Sequence, residues 1–171
     1  MKKSNIAIIV IVIVFICLIA VIAVINRNGI AQPSGDHSLI VRSGEQTLKE
    51  YTVSDLKALP SVEIYKSISS GKHEDEQGNF KGVPLETLLS DAAPDWQGRY
   101  KEFIFSGSDG FTSSVFASDI EKGENVLVVY AKDGGDLKGP EEGGKGPLRI
   151  IVVDDPFGNR SAYLLTSIEV K

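Results

Sequence analysis

Val126-Leu-Val-Val-Tyr-Ala131 and Leu148-Arg-Ile-Ile-Val-Val153 are the two stretches on which the fold turns. Both are rich in β-branched residues, and at six residues each they have the length of a strand rather than a helix. Apolar runs of this kind read as strands buried in a sheet. The segment between them, residues 134–147, holds six glycines in 14 residues and predicts a long loop. Upstream, residues 102–105 and 111–116 flank a loop containing Asp109-Gly110, a hairpin signal. Downstream, residues 168–170 close the chain as a last strand. Nearer the start, residues 39–42 and 46–51 straddle Ser43-Gly44-Glu45 as another hairpin, and Val62, Ile64 and Ile68 mark a strand. The helices are few and short. Ser54 is placed to cap residues 55–59, which Pro60 stops. Pro84 suits a first helical position before Leu85, Leu88, Leu89 and Ala92, which share a face. Ser118 caps one turn before Gly123. The expected class is α+β, with a mixed, mainly antiparallel sheet, short helices and no internal repeat.

Ahead of this domain, residues 6–25 are twenty consecutive apolar residues without a charge. As a helix they would span roughly 30 Å, the thickness of a bilayer's hydrocarbon core. A secretory h-region is usually about 7–15 residues, so an anchor is expected rather than a cleaved signal, although Gly29-Ile30-Ala31 has the pattern of a cleavage site. Lys2 and Lys3 precede the run and Arg27 alone follows it closely. The positive-inside bias then leaves residues 1–5 in the cytoplasm and the domain outside. The expected organisation is a transmembrane anchor at 6–25, a flexible linker at 26–38 and one domain at 39–171. Beyond residue 30 the chain carries all 23 acidic residues but only 15 of the 18 basic ones, a net charge of −8. That balance argues against nucleic acid as a partner. The single cysteine, Cys17, lies in the apolar run, which excludes a disulfide or a cysteine nucleophile in the domain.

Several motifs invite chemistry and lack part of what it needs. Residues 139–145 (GPEEGGK) begin like a phosphate-binding loop, but Gly146 replaces the magnesium-holding hydroxyl, two acids occupy the cradle and a strand follows. His73-Glu74-Asp75-Glu76 offers carboxylates to a hard cation without organised spacing, and reads equally as a solvated acidic turn. Ser106, Ser108, Ser113 and Ser114 have only His73 in the domain as a potential base, which disfavours a hydrolase. Asp109, Asp133, Asp136, Asp154 and Asp155 sit beside glycine or proline, where Asp bonds to its own turn.

The order of landmarks is more specific than any one of them. Tyr51-Thr-Val-Ser-Asp-Leu-Lys-Ala-Leu-Pro60 precedes a strand, followed by Phe80-Lys-Gly-Val-Pro-Leu85 and Ser108-Asp-Gly-Phe111. Asp133-Gly134, Gly146-Pro-Leu-Arg149, Gly158-Asn-Arg160 and Ser167-Ile-Glu-Val170 complete the series. The series resembles the oxidoreductase molybdopterin-binding domain, the sulfite oxidase-type fold, over residues 39–171 in a small stand-alone form. The resemblance implies an α+β domain whose catalytic members hold a molybdenum–pterin cofactor, with one cysteine as the metal ligand. That cysteine is expected after the first helix and strand, yet residues 64–82 contain none. Ser67, Ser69 and Ser70 are the small polar residues nearby, with Ser67 about where the ligand is expected. Arg149 and Arg160 occupy the basic steps that in catalytic members help hold the cofactor's phosphate and pterin. Tyr163 stands where a lysine is expected, and Asp154-Asp155 would oppose an anionic cofactor. Arg149 is equally suited to neutralising Asp154 or another loop acid.

Three functions follow. The first is a membrane-anchored, non-catalytic binding or partner module that has lost the metal ligand, with Arg149, Arg160 and Ser67 as the remnant of the cofactor site. The second is a molybdopterin-dependent oxidoreductase passing electrons to a membrane partner. The third is an extracytoplasmic domain binding a hard cation or small ligand at its acidic loops.

Overall fold

The computed structural model describes residues 38–69 and 75–171. The expected anchor, the linker up to residue 37, Ser70 and His73-Glu74 lie outside the described residues. Among the described residues no helix is long and apolar enough to cross a membrane.

Two five-stranded sheets form, where the sequence suggested one. The first has the order β2-β1-β10-β5-β6, built from β1 (Ser38–Ser43), β2 (Gln46–Thr52), β5 (Glu102–Gly107), β6 (Thr112–Phe116) and β10 (Leu165–Val170). Only β1 with β10 is parallel. The second runs β3-β4-β7-β8, with β9 also on β7, and is antiparallel throughout. Its strands are β3 (Val62–Ile68), β4 (Glu76–Pro84), β7 (Val126–Lys132), β8 (Gly135–Asp136) and β9 (Arg149–Val152).

β7 explains the layering. Val126, Val128 and Tyr130 enter the main core with Leu39, Phe103 and Ile168, while Leu127 and Val129 enter a second core with Ile68, Phe80 and Ile151. A strand whose alternate residues serve two cores must be apolar throughout. Helix α1 (Val53–Ala58) is capped by Thr52, not Ser54: the Thr52 Oγ1 accepts the Asp55 N–H at 3.1 Å, and Asp55 Oδ2 accepts the Thr52 N–H at 2.8 Å. Helix α2 (Leu85–Ala92) buries Leu85, Leu88 and Leu89 completely, at roughly 1.5–3 kcal/mol apiece. Pro84 is its N-cap, one residue earlier than its pattern suggested. Helix α3 (Ala117–Ile120) is one turn whose N-cap is Phe116, displacing Ser118, and Asp119 accepts the Phe116 N–H at 3.2 Å. The glycine-rich loop contains β8 and a 3-10 turn, Pro140–Glu142.

Gly82 marks the closest approach in the second sheet. A Cβ there would lie 2.7 Å from the Val129 Cα and strike the Val128 carbonyl, at the bulge where the β4–β7 register shifts.

Candidate functional site

β9 places Arg149 opposite Val129, on the face that carries Leu127, Ile151 and Phe80 into the second core. The residue is 2% exposed. Its Nη1 donates to Glu76 Oε1 at 3.0 Å and Oε2 at 3.1 Å. The guanidinium carbon lies 4.4 Å from the centre of the Tyr163 ring and 5.1 Å from that of Phe80, a cation–π contact with each. Nε and Nη2 are buried without a hydrogen-bond partner among the described residues. Lys132 Nζ lies 3.4 Å from Glu76 and 5.4 Å from the Phe80 ring centre, and Lys145 Nζ lies 4.7 Å from that of Tyr163. Three cations thus share one carboxylate and two rings. Burial alone would raise the Glu76 pKa, but Arg149 and Lys132 outweigh it and hold the carboxyl below its ordinary range.

Arg160 is held elsewhere. Its Nη1 donates to Asp119 at 3.0 Å, its Nη2 to Asp154 at 2.8 Å, and its backbone N–H to Asp155 at 2.8 Å. Lys122 Nζ adds a 2.7 Å contact to Asp154. Burial opposes the charge on Arg160, yet the three aspartates raise its pKa. Asp155 also accepts the Phe157 N–H at 3.1 Å, the local turn bonding expected of it.

Ser67 joins neither arginine. It pairs with Gln77 in the β3–β4 ladder and is exposed, on the sheet face opposite Ile68 and Phe80. Ser69 Oγ donates to Asp75 at 2.9 Å. Of the candidate serines, Ser113 Oγ donates to the Arg160 carbonyl at 3.0 Å. Among the described residues no three His, Cys, Asp or Glu side chains gather to hold a metal ion.

Lys66 and Phe80 are not candidate site residues in the sequence reading, and Glu76 enters it only as one carboxylate of the acidic run 73–76. Lys66 is buried and donates to the carbonyls of Val153 at 2.7 Å and Asp155 at 2.9 Å, tying β3 to the loop that carries Asp154 and Arg160. Burial lowers its pKa against the pull of Asp155 and Asp154. A signal was present: Lys66 lies in the inward phase of Ile64 and Ile68.

A family model described as the oxidoreductase molybdopterin binding domain matches residues 27–171. Among solved structures, the sulfane dehydrogenase SoxCD from Paracoccus pantotrophus is similar in fold, with a TM-score of 0.63 and 16% sequence identity. The alignment covers 82% of this chain and 39% of that one, so the present chain spans well under half of its structural relative. No curated protein matches the chain.

Proposed function

Because this chain belongs to the oxidoreductase molybdopterin-binding domain family, we propose that it is a member adapted to binding rather than catalysis. It works without molybdenum, as a binding or partner module. Residues 6–25 anchor it in the membrane, and the domain faces away from the cytoplasm toward a partner in or on that membrane.

The observation that carries this reading is that both arginines at the family's basic steps are already neutralised by the chain's own carboxylates. Arg149 is taken by Glu76, and Arg160 by Asp119 and Asp154. A cofactor phosphate would have to displace those acids against like charge. The donor set points the same way. The domain has no cysteine, and a serine hydroxyl is a poor ligand for a soft metal. Ser67 also lies across the sheet from Arg149. The residues present do not fit the molybdenum–pterin group. The uncharged twenty-residue run, with Lys2 and Lys3 before it, supports the anchor and its direction.

One observation favours the oxidoreductase alternative: Arg149 keeps two buried nitrogens without a partner among the described residues, which is what an anion-binding guanidinium would offer. Fluorescence of pterin released by denaturing the purified full chain separates the two readings. The module reading expects no pterin signal, and a stoichiometric one overturns it. Protease added to intact spheroplasts tests the location: it should remove the domain while a cytosolic control survives.

A further inference from the structure

We propose that Asn159 is an N-glycosylation site, modified from a lipid-linked glycan before the domain folds. This goes beyond the reading of the chain as a binding module and rests on its outward-facing domain. Asn159-Arg160-Ser161 is the only Asn-x-Ser or Asn-x-Thr triplet in the chain, and its middle residue is not proline. That triplet is the acceptor motif for N-linked glycans on the surface loops of exported proteins.

Three observations raise the triplet above a chance match. The first is its place. Asn159 is exposed, in the segment that joins β9 to β10. The Ser161 N–H donates to the Gly158 carbonyl at 3.0 Å, so Asn159 and Arg160 form the tip of a turn. Asp155 holds this segment, accepting the N–H of Phe157 at 3.1 Å and that of Arg160 at 2.8 Å. A glycan on the tip displaces no strand.

The second is Ser161. It is 4% exposed, and its hydroxyl is buried without a hydrogen-bond partner among the described residues. A hydroxyl in that state is costly beside a methyl group, so the fold itself does not call for serine here. A transferase that reads the hydroxyl on the unfolded chain does. The same burial sets the order of events: the hydroxyl is out of reach once the turn closes, so transfer precedes folding.

The third is Phe157, two residues before the asparagine, with 62% of its surface exposed. One face of a pyranose is made of C–H groups and packs on an aromatic ring. The first sugar on Asn159 gives this exposed ring a partner. The transfer is a substitution at the anomeric carbon of that sugar. A bond forms from Asn159 Nδ2 to the carbon, and the bond from the carbon to the lipid phosphate oxygen breaks, its electron pair leaving with the phosphate. One amide proton is lost to a base of the transferase.

The test is mass spectrometry of the full chain purified from the membranes of its own cells, before and after an amidase that strips N-glycans. The peptide carrying Asn159 should bear added sugar mass, replaced after the amidase by aspartate at that position. Asn159→Gln and Ser161→Ala should each abolish the glycan, and Ser161→Thr should keep it. The bare Ser161→Ala chain should melt within about 2 °C of the amidase-treated parent, which separates loss of the motif from misfolding. Stripping the parent should lower its melting point by about 3 °C, a difference that Phe157→Ala should erase. A glycan retained in Ser161→Ala overturns the proposal. So does a bare Asn159 in a domain that protease removes from spheroplasts, a result that leaves the topology standing. A domain protected from that protease defeats the topology and the proposal with it.

Discussion

Replacing Glu76 with Gln isolates the interaction that most distinguishes this domain. The substitution keeps the shape and removes the charge that neutralises Arg149, whose side chain is 2% exposed. Stripping one partner from a buried ion pair costs about 3–5 kcal/mol because the other charge is left uncompensated. Glu76 is itself 29% exposed, and the new amide can still accept one hydrogen bond, so about 2–3 kcal/mol is expected here. In a thermal melt of the full chain in detergent that is a fall of roughly 5–12 °C. Arg149→Met should behave differently. A methionine keeps an apolar side chain beside Phe80 and Tyr163, no guanidinium nitrogen is left unpartnered, and Glu76 keeps Lys132 at 3.4 Å. Its cost should stay under about 1 kcal/mol, and the double variant should resemble it rather than Glu76→Gln. The pH dependence has a fixed sign. A carboxyl with a depressed folded-state pKa contributes stability above the ordinary glutamate range and loses it as pH falls through the folded value. The penalty of Glu76→Gln should therefore shrink in acid. If Arg149→Met proves the more damaging single change, or the Glu76→Gln penalty does not vary with pH, the ion-pair argument is refuted.

Gly82→Ala forces a Cβ against the Val128 carbonyl and should cost about 1–3 kcal/mol in urea unfolding. Residues 38–171 expressed alone should melt cooperatively and identically with or without reductant, since the only cysteine is Cys17. Ser67→Cys should acquire no molybdenum by elemental analysis, because the new thiol would sit on the exposed sheet face opposite Phe80.

Legibility followed the range of the interactions. The runs that became β7 and β9, and the hairpins β1–β2 and β5–β6, are local patterns and were readable as such. β4 was not read as a strand, because Glu76-Gln-Gly-Asn-Phe-Lys-Gly-Val-Pro84 is full of turn formers. Pairing with β3 and β7 on its two sides makes it a strand regardless. Arg149 is legible as a neutraliser of Asp154 or another loop acid, and the acid it meets is Glu76. Those two residues are 73 positions apart and meet only through the ladder that joins β4, β7 and β9. Asp154 lies beyond the end of β9 and goes to Arg160 and Lys122. Tyr163 was noticed as a departure from the family pattern, but its place over the guanidinium is a tertiary fact. Ser67 was chosen by position along the chain, whereas sheet alternation decides which face it occupies.

The molybdenum content of the full chain, purified from a host that makes molybdopterin and measured beside a cysteine-bearing family member from the same host, tests the central claim most directly. With Arg149 and Arg160 occupied by carboxylates and no thiolate in the domain, the account predicts metal at background level in this chain and near one atom per chain in the relative. Stoichiometric molybdenum in this chain would contradict it.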